Sequence, residues 1–408
     1  MREFRVAIIG AGLAGLALAQ ALNRNGIGFD IYERDPSANS RIQGYRLRID
    51  AEGQQALAEL LPWDLHRLIR QTASQAATSG RFLTPQLEEA THRAPESWHQ
   101  GSEREDFDLS VNRQTLREIL MCGIAGNIHF GCKLERYRVL EDGCVWLLFE
   151  NSDPVICDVL VGADGVHSSV RRCLAPDAAP QDTGAVCIYG KSELDSPRDP
   201  KAAYAGTNVI WADGYSVIMD EMRFGDELSV IGQSIAARCG ITNVADYLYW
   251  AIIAPRERLG PLATDRFDLG EAALGDLLSS LTHNWHPTLR RLIVKTDPSV
   301  VAIAPVKRGR PDIAWAPGPV TLLGDAAHAM SPAGGVGANT AFKDALALAD
   351  ALTDDFDEAR TLPRDLVHAI GDYEHAMREA ARIAVSASDR AAEMLFGRSR
   401  RAGDADGA

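Results

Sequence analysis

Buried-strand patterns and helical periods alternate at the start of the chain. Residues 4–12, FRVAIIGAG, open with a β-branched apolar run that is typical of a strand buried on both faces. A helical pattern over residues 13–25 follows and ends at Gly26, and residues 28–33 predict a second strand. This strand–helix–strand order predicts a βαβ unit with a parallel sheet.

The pattern becomes strand-like and aromatic between residues 185 and 256. Short apolar segments predict strands there: AVCIYGK, NVIWA, YSVIMDE, LSVIGQS and YLYWAIIA. Their close succession predicts a separate antiparallel sheet.

Helices and further strands fill the rest of the chain. Helical periodicity is present over residues 53–70 (interrupted at Pro62), 111–122, 271–294, 338–353 and 364–396. Strands are predicted over residues 41–49, 134–140 and 143–150 and in the buried runs DVLVGADG and VTLLGD. The polar stretch 71–106 predicts a mobile or solvent-covered insertion, and the tail 397–408 is expected to be disordered.

Composition narrows the class of protein. The 408 residues are 46% hydrophobic and 24% charged, as in ordinary globular domains. With 42 Lys and Arg against 56 Asp and Glu, the net charge is −14, which disfavours general binding to nucleic acid or anionic lipid. The apolar run at residues 6–22 is short for a membrane span and is interrupted by glycines, so we expect neither a signal peptide nor an integral membrane segment.

Cysteine and histidine spacing gives no metal or disulfide signal. The seven cysteines stand far apart without a CxxC motif, so they predict buried thiols in a reducing, cytoplasmic environment. His283 and His286 have the spacing of two ligands on one helix face, but no third ligand is evident. We therefore expect no metal.

A glycine-rich turn lies between the first strand and the first helix. Residues 10–15, GAGLAG, match the GxGxxG pattern of dinucleotide-binding folds. Gly10 permits the tight turn, Gly12 lets the backbone approach a pyrophosphate, and Gly15 allows close contact between helix and strand. Glu33 ends the next strand and favours an unphosphorylated ribose, as in FAD or NAD. The turn therefore predicts a dinucleotide site at the helix N-terminus.

Two later motifs favour a flavoprotein over a dehydrogenase. Residues 158–171, DVLVGADGVHSSVR, and residues 323–328, LGDAAH, each close a buried strand, and the second is followed by PAGGVGAN at 332–339. Together with GAGLAG they resemble, in order and spacing, the three fingerprints of the single-component FAD-dependent aromatic hydroxylase family. These are the class A flavoprotein monooxygenases, with p-hydroxybenzoate hydroxylase as prototype. The resemblance covers nearly the whole chain.

The resemblance implies an α/β fold in which a Rossmann-like FAD-binding domain of the GR2 type is interleaved with a mostly antiparallel substrate-binding sheet. The FAD-binding domain would comprise residues 1–70, 107–180 and 300–355. The sheet domain would comprise residues 71–106 and 181–299, and a C-terminal helix would span 356–396 before the tail.

The resemblance also implies which residues contact the cofactor. Asp325 would accept hydrogen bonds from the ribityl chain, Arg113 would reach the diphosphate, and Asp164 would contact both FAD and NAD(P)H. His328 is expected to be structural or cofactor-adjacent, and Arg171 is as readily structural as functional. The full set of expected cofactor-binding residues is Gly10, Gly12, Leu13, Ala14, Gly15, Glu33, Arg34, Arg41, Arg113, Asp164, Gly324, Asp325, Pro332, Gly335, Gly337, Ala338 and Asn339.

Large side chains of the predicted antiparallel sheet are candidates for the wall of an apolar substrate cavity. The candidates are Trp211, Tyr215, Met219 and Met222. For each of them the sheet core is the alternative position. The apolar character of this sheet favours a bulky, mostly uncharged substrate.

The resemblance implies a monooxygenase in which NAD(P)H reduces FAD and O2 adds at flavin C4a. The resulting hydroperoxyflavin would hydroxylate or epoxidise an aromatic or lipophilic small molecule, in secondary metabolism or aromatic catabolism. No residue can be assigned as catalytic base, and the choice between NADPH and NADH and between monomer and homodimer stays open. Two alternatives are a related flavoprotein reductase and a protein that binds FAD without turnover.

Overall fold

The computed structural model describes residues 3–40, 44–75, 80–90, 108–194, 206–212, 214–262, 269–353 and 366–395. Its helices are α1 (Leu13–Arg24), α2 (Ala51–Leu60), α3 (Trp63–Gln71), α4 (Arg113–Met121), α5 (Ser169–Leu174), α6 (Leu228–Ile235), α7 (Glu271–Leu281), α8 (Pro287–Val294), α9 (Asp325–His328), α10 (Gly337–Thr353) and α11 (Leu366–Leu395). Its strands are β1 (Arg5–Ile9), β2 (Gly28–Glu33), β3 (Arg46–Ile49), β4 (Arg81–Leu83), β5 (Leu109–Asn112), β6 (Ile128–Phe130), β7 (Leu134–Val139), β8 (Val145–Phe149), β9 (Val155–Cys157), β10 (Val159–Gly162), β11 (Gln181–Glu193), β12 (Thr207–Ala212), β13 (Tyr215–Met222), β14 (Tyr247–Pro255), β15 (Ala302–Arg308) and β16 (Val320–Leu322). No helix among these is both long and apolar enough to cross a membrane.

A five-stranded parallel sheet in the order β16-β10-β1-β2-β6 forms the first layer of the fold. The βαβ unit predicted at the start of the chain is confirmed, because β1 pairs with β2 and α1 connects them. Most of α1 is apolar and buried, and it packs between this sheet and α10. The GAGLAG turn consequently lies where β1 ends, beside the ends of β10 and β16.

A six-stranded sheet in the order β15-β11-β14-β13-β12-β4 forms the second layer. Its neighbouring strands run antiparallel except for β12 and β4, so the predicted antiparallel sheet is confirmed. One face packs against α7 and α8 through a core that includes Tyr215, Met219 and Trp250. The opposite face carries Ile218, Ala251 and the other residues that border the cavities described below.

Residues 228–234 form a helix, so the strand predicted for LSVIGQS is wrong. The buried positions are Leu228 and Gly232, which are four residues apart and share one helix face. A Cβ on Gly232 would come within 2.9 Å of the Ile241 side chain, which shows how closely that face packs. The segment is too short for a four-residue period to be distinguished from alternation in the sequence.

Proline positions explain two further differences from the predicted elements. The predicted helix over residues 271–294 is two helices, because α8 begins at Pro287 after the turn at Trp285. The strand β15 was not predicted, because Pro305 interrupts its apolar pattern. β15 is an edge strand of the sheet, where a proline is tolerated because the missing N–H can face away from the neighbouring strand.

Cys122 and Cys239 form a disulfide, so the expectation of seven free thiols is wrong. Cys122 follows α4 and Cys239 follows α6, and both side chains are buried. The two residues are 117 positions apart in the sequence, and only the packing of α3 with α4 and α6 brings them together. Cysteine spacing along the chain carries no signal of that contact.

We expect Phe342→Ala in α10 to lower the free energy of unfolding by about 3–5 kcal/mol, because truncation leaves a cavity in the core between α10 and α1. Phe342 is fully buried there. The control Val367→Ala, at a position that is 42% exposed on α11, should change stability by less than about 0.5 kcal/mol. Urea unfolding followed by circular dichroism measures both variants, and equal losses would contradict the assigned core.

Candidate functional site

Three adjoining cavities lie along the GAGLAG turn, Asp325 and the six-stranded sheet. We call them the loop cavity (about 330 Å³, bordered by Gly10, Glu33 and Asp164), the central cavity (about 310 Å³, bordered by Gly12, Asp325 and Ala338) and the side cavity (about 340 Å³, bordered by Tyr45, Tyr189 and Pro332). Arg113, at the start of α4, borders all three. A single extended ligand could therefore occupy the loop and central cavities together.

Backbone contact at the GAGLAG turn leaves no room for side chains. Gly10 has φ +107°, and a Cβ there would lie 2.5 Å from the carbonyl oxygen of Ala163. A Cβ on Gly15 would lie 2.4 Å from the carbonyl oxygen of Gly10. Both positions consequently require glycine, and the first turn of α1 is held directly against the end of β10.

The N-terminus of α1 opens into the central cavity. Gly12 is the N-cap and supplies no side-chain hydrogen bond, while Leu13 and Ala14 border the cavity. The first backbone N–H groups of a helix lack partners within the helix and carry its positive dipole end. This wall of the cavity is therefore suited to a phosphate group.

Glu33 is the last residue of β2. Both Glu33 and Arg34 border the loop cavity. One carboxylate oxygen of Glu33 accepts the Ala11 N–H at 2.8 Å, and the other accepts the Asp35 N–H at 2.9 Å. Each oxygen still has lone-pair capacity for a hydroxyl donor in the cavity. The carboxylate thus both fixes the turn and offers acceptors to a ligand.

Arg117, which belongs to none of the three sequence motifs, also fixes the turn. Its buried guanidinium donates from Nε to the Ala11 carbonyl oxygen at 2.9 Å and from Nη1 to the Ala38 carbonyl oxygen. Arg117 lies four residues after Arg113, so both side chains are on one face of α4. This spacing is the feature of the sequence that could have predicted a role for Arg117 at the same site.

Asp164 follows β10 and borders the loop cavity. Its Oδ2 accepts the Ser169 N–H at 2.6 Å, whereas its buried Oδ1 has no hydrogen-bond partner among the described residues. A buried carboxylate oxygen without a donor is costly. A donor supplied by a ligand in the loop cavity would remove that cost.

The third motif forms the floor of the central cavity. Gly324 has φ +59° and packs against α1 and α10, and Asp325 then borders both the central and the side cavities. The other expected residues from this part of the chain that border the central cavity are Pro332, Gly335, Gly337 and Ala338. The start of α10 therefore faces the same space as the start of α1.

Asn339, one of the expected cofactor-binding residues, borders none of the three cavities. Its side chain donates to the carbonyl oxygens of Arg48 at 3.2 Å and Gly335 at 3.4 Å, and it accepts the Asp50 N–H at 3.3 Å. These bonds fix the segment around Gly335 to β3. Gly15 likewise lies beneath the cavity and serves packing, and Arg41 lies outside the described residues.

The four expected substrate-pocket residues border none of the three cavities. Tyr215 and Met219 lie on the face of β13 that packs on α7 and α8, where Tyr215 stacks on Trp285. Trp211 lies on the cavity side but packs under the end of α11, and Met222 is fully buried. Alternate residues of a strand point to opposite faces, so the choice of Tyr215 and Met219 instead of their neighbour Ile218 selects the opposite face of β13.

The sheet residues that border the central cavity are Ile218, Tyr249, Ala251 and Ile253. Ile218 lies on β13 directly opposite Ala251, and Tyr249 and Ile253 are the residues two positions before and after Ala251 on β14. This wall is mainly apolar. It faces the start of α10 and the segment 323–335, which we call the Asp325 loop. We call it the roof.

His328 and Asp344 form a buried ion pair that links the Asp325 loop to α10. Burial lowers the pKa of His328, but the charge and hydrogen bond of Asp344 raise it more, so the net pKa is above the ordinary value. Arg171 is buried nearby and donates to the carbonyl oxygens of Ala326 and Val166, each at 2.7 Å. Both His328 and Arg171 therefore support the loop that carries Asp325.

No group of three His, Cys, Asp or Glu side chains in the described ranges could hold a metal ion. His283 and His286 instead contact local groups: His283 contacts the Ser280 carbonyl oxygen, and His286 accepts the Thr288 N–H.

Comparison with known proteins relates the chain to flavoproteins. Residues 8–55 match the NAD(P)-binding Rossmann-like domain, and residues 280–363 match an FAD binding domain. The chain is 35% identical to the dual O-methyltransferase/FAD-dependent monooxygenase of Cercospora beticola over 96% of its own length and 46% of that protein, so it spans about half of that relative. It is 30% identical to the 6-methylsalicylate 1-monooxygenase of Aspergillus terreus, with 84% of this chain and 73% of that protein covered.

A solved structure extends this likeness to the fold. An FAD-containing protein from Photorhabdus luminescens, described as a monooxygenase, matches with a TM-score of 0.77 and 29% identity. The match covers 97% of this chain and 100% of the other.

We expect the His328–Asp344 pair to make stability depend on pH. Because the folded-state pKa of His328 is raised, its contribution is complete below about pH 6.5 and is lost as the pH rises through the folded-state pKa. The free energy of unfolding of the wild type should therefore fall relative to His328→Gln between about pH 6 and pH 9. Urea titrations of both proteins measure this, and a difference that stays constant across the range would contradict the ion pair.

Proposed function

The chain belongs to the FAD-dependent aromatic hydroxylase family, and from this premise we propose that it is a monooxygenase that uses FAD, NAD(P)H and O2 to oxygenate an aromatic or lipophilic small molecule. The observation that carries the proposal is the convergence of three motifs on adjoining cavities. The GAGLAG turn, Asp164 and Asp325 come from distant parts of the chain, yet all border the loop or central cavity.

The polar groups that border the cavities fit FAD. The N-terminus of α1 and Arg113 would hold the diphosphate, Glu33 would accept from the adenosine ribose, and Asp325 would accept from the ribityl chain. The free Oδ1 of Asp164 is a further acceptor in the loop cavity. When bound, FAD would supply hydride acceptance from the nicotinamide and activation of O2.

The chain's own residues would orient the reactants and control charge. The start of α10 directs backbone N–H groups at the central cavity, where they stabilise negative charge. Ile218, Ala251 and Ile253 in the roof exclude water from the opposite side. In this proposal residues 1–70, 107–180 and 300–355 hold FAD, and residues 71–106 and 181–299 hold the substrate.

Positive side chains support a nicotinamide dinucleotide as co-substrate. Arg34 and Arg172 supply positive charge at the loop cavity, Lys307 supplies it at the side cavity, and the uncharged His167 lies beside Arg172 in the loop cavity. Burial lowers the pKa of His167, and the positive charges of Arg34 and Lys307 lower it further. In a chain with net charge −14, this local positive field favours an anionic ligand such as NADPH or NADH.

Relatives support an aromatic substrate. The Aspergillus relative is named for 6-methylsalicylate, a substituted benzoate, and the Cercospora relative joins a monooxygenase to an O-methyltransferase. We propose that this chain also acts on an aromatic substrate. It would transfer one oxygen atom of O2 to that substrate, as the family resemblance implies.

We expect Asp325→Ala to weaken FAD binding about tenfold or more, the effect of losing one charge-assisted hydrogen bond. Asp276→Ala on the exposed surface of α7 is the matched control and should bind FAD like the wild type. Fluorescence titration of FAD with each protein measures the affinity. Equal affinity of the Asp325→Ala variant and the wild type would remove Asp325 from the cofactor site.

The activity itself is tested with the FAD-loaded protein, a panel of phenols and polycyclic aromatics, and ¹⁸O2. We expect a substrate to stimulate NADPH or NADH oxidation and the product to carry one ¹⁸O atom. Oxidation without label in the product would favour the reductase alternative. Bound FAD that neither nicotinamide reduces would favour a protein without turnover, and a protein that does not take up FAD would overturn the cofactor assignment.

A further inference from the structure

The thioether side chain of Met330 lies where the central and the side cavities adjoin. Met330 belongs to the Asp325 loop, borders both cavities and is half-buried. Its side chain lies against the first residue of α10, because a Cβ on Gly337 would be 3.5 Å from Met330 Cγ and 3.9 Å from its Sδ. The sulfur is therefore beside the start of α10, at the part of the central cavity where the proposed function holds the reactive end of FAD.

The other methionines that the structure describes lie away from the three cavities. Three of them are at most 3% exposed in the packed interior, namely Met219, Met222 and Met377. Met394 on α11 is 45% exposed, and Met121 at the end of α4 is half-buried like Met330. Neither of these two borders a cavity. Among the described methionines, Met330 alone shares a cavity with Asp325.

Two cysteines border the cavities as well, but their chemistry or position differs from that of Met330. Cys187 borders the side cavity, and burial raises the pKa of its thiol to about 12, so it stays a neutral thiol at pH 7. Peroxide oxidises the thiolate and not the neutral thiol. Cys132 borders the loop cavity, at the end where Glu33 lies. A thioether needs no deprotonation, so Met330 is the sulfur at the central cavity that a peroxide can oxidise at neutral pH.

Reduced FAD and O2 supply the oxidant at this position. When reduced FAD returns to its oxidised form without transferring oxygen to a substrate, two electrons and two protons convert O2 to H2O2. The sulfur lone pair of a thioether attacks one peroxide oxygen, so that the S–O bond forms and the O–O bond breaks. The departing hydroxide takes the proton of the transferred oxygen and leaves as water. The sulfur is thereby oxidised by two electrons to the sulfoxide, and the peroxide is reduced.

We propose that Met330 is an oxidative modification site: H2O2 formed at FAD in the absence of substrate converts its thioether to the sulfoxide, and the sulfoxide weakens the binding of FAD. The second effect follows from the position of the side chain. The first N–H groups of α10 lack partners within the helix, and a sulfoxide oxygen next to Gly337 accepts from them in competition with the cofactor. The inference rests on the proposed function, because it requires FAD in the central cavity and the reaction of reduced FAD with O2.

The first test forms H2O2 at the cofactor without a nicotinamide. FAD-loaded protein is reduced by light and EDTA in the absence of oxygen and then exposed to ¹⁸O2 in the dark with catalase present, over repeated cycles. A second sample receives added H2O2 without reduction, which measures the intrinsic reactivity of each methionine. Peptide mass spectrometry reports the sulfoxide at Met330, at the half-buried control Met121 and at the exposed control Met394.

We expect the ratio of Met330 sulfoxide to sulfoxide at either control to be about tenfold or more higher after the reduction cycles than after added H2O2, because the oxidant forms beside its target. The Met330 sulfoxide formed in the cycles should carry ¹⁸O, and catalase should not prevent it.

The second test measures the effect of the modification on FAD binding. Met330→Leu and Met330→Gln both keep a side chain of similar size, and only glutamine adds a polar oxygen as the sulfoxide does. We expect Met330→Gln to bind FAD about tenfold more weakly than Met330→Leu in a fluorescence titration. Met394→Gln and Met394→Leu on the exposed face of α11 are the matched controls and should bind FAD equally. Treatment of the oxidised wild type with methionine sulfoxide reductases should restore its affinity for FAD.

Failure of this inference is distinguishable from failure of the proposed function. Equal sulfoxide ratios in the two samples, suppression of Met330 sulfoxide by catalase, or a sulfoxide without ¹⁸O would overturn Met330 as the modification site. Equal FAD affinity of Met330→Gln and Met330→Leu would overturn the effect on the cofactor. None of these outcomes alters the ¹⁸O test of monooxygenation, which follows nicotinamide oxidation and a labelled product. A protein that takes up no FAD would contradict the proposed function and this inference together.

Discussion

The close backbone contact between the GAGLAG turn and the end of β10 is the constraint on which the rest of the site depends. Gly10 and Gly15 have no space for a side chain, so β1, α1 and β10 meet at backbone distance. That contact places the open N-terminus of α1, Glu33 and Asp164 around one space. Arg117 and Glu33 then hold the carbonyl and the N–H of Ala11, which fixes the turn from both sides.

The site also requires that the six-stranded sheet is held at a fixed distance from the GAGLAG turn. β3 makes that connection: Asn339 bonds to the backbone of Arg48 and Asp50, and Arg46 is paired with Asp220 in β13. Tyr247 adds a further link, because its hydroxyl donates to the Tyr45 carbonyl oxygen and accepts from Asn112. These contacts hold the roof over the Asp325 loop, and they explain why one cavity is bordered by chain segments that are far apart in the sequence.

Local patterns were sufficient for the first βαβ unit and for placing GAGLAG, Asp164 and Asp325 at one edge of the parallel sheet. GAGLAG, Asp164 and Asp325 each stand at the end of a parallel strand, and strand ends of one sheet meet at a common edge, so their convergence follows from sequence order and topology. The residues of the roof could not be predicted from sequence order and topology. Tyr215 and Met219 differ from Ile218 by odd numbers of positions, and only the packing of α7 and α8 decides which face is covered. Arg117, the Cys122–Cys239 bond and the Arg46–Asp220 pair depend on contacts between distant segments, which single-sequence patterns do not encode.

A crystal structure of the protein grown with FAD tests the central claim most directly. The account predicts the adenosine ribose at Glu33, the diphosphate between the start of α1 and Arg113, and the flavin ring between Gly335–Ala338 and the roof formed by Ile218, Tyr249, Ala251 and Ile253. FAD density outside the loop and central cavities, or a flavin ring that does not face this roof, would contradict it.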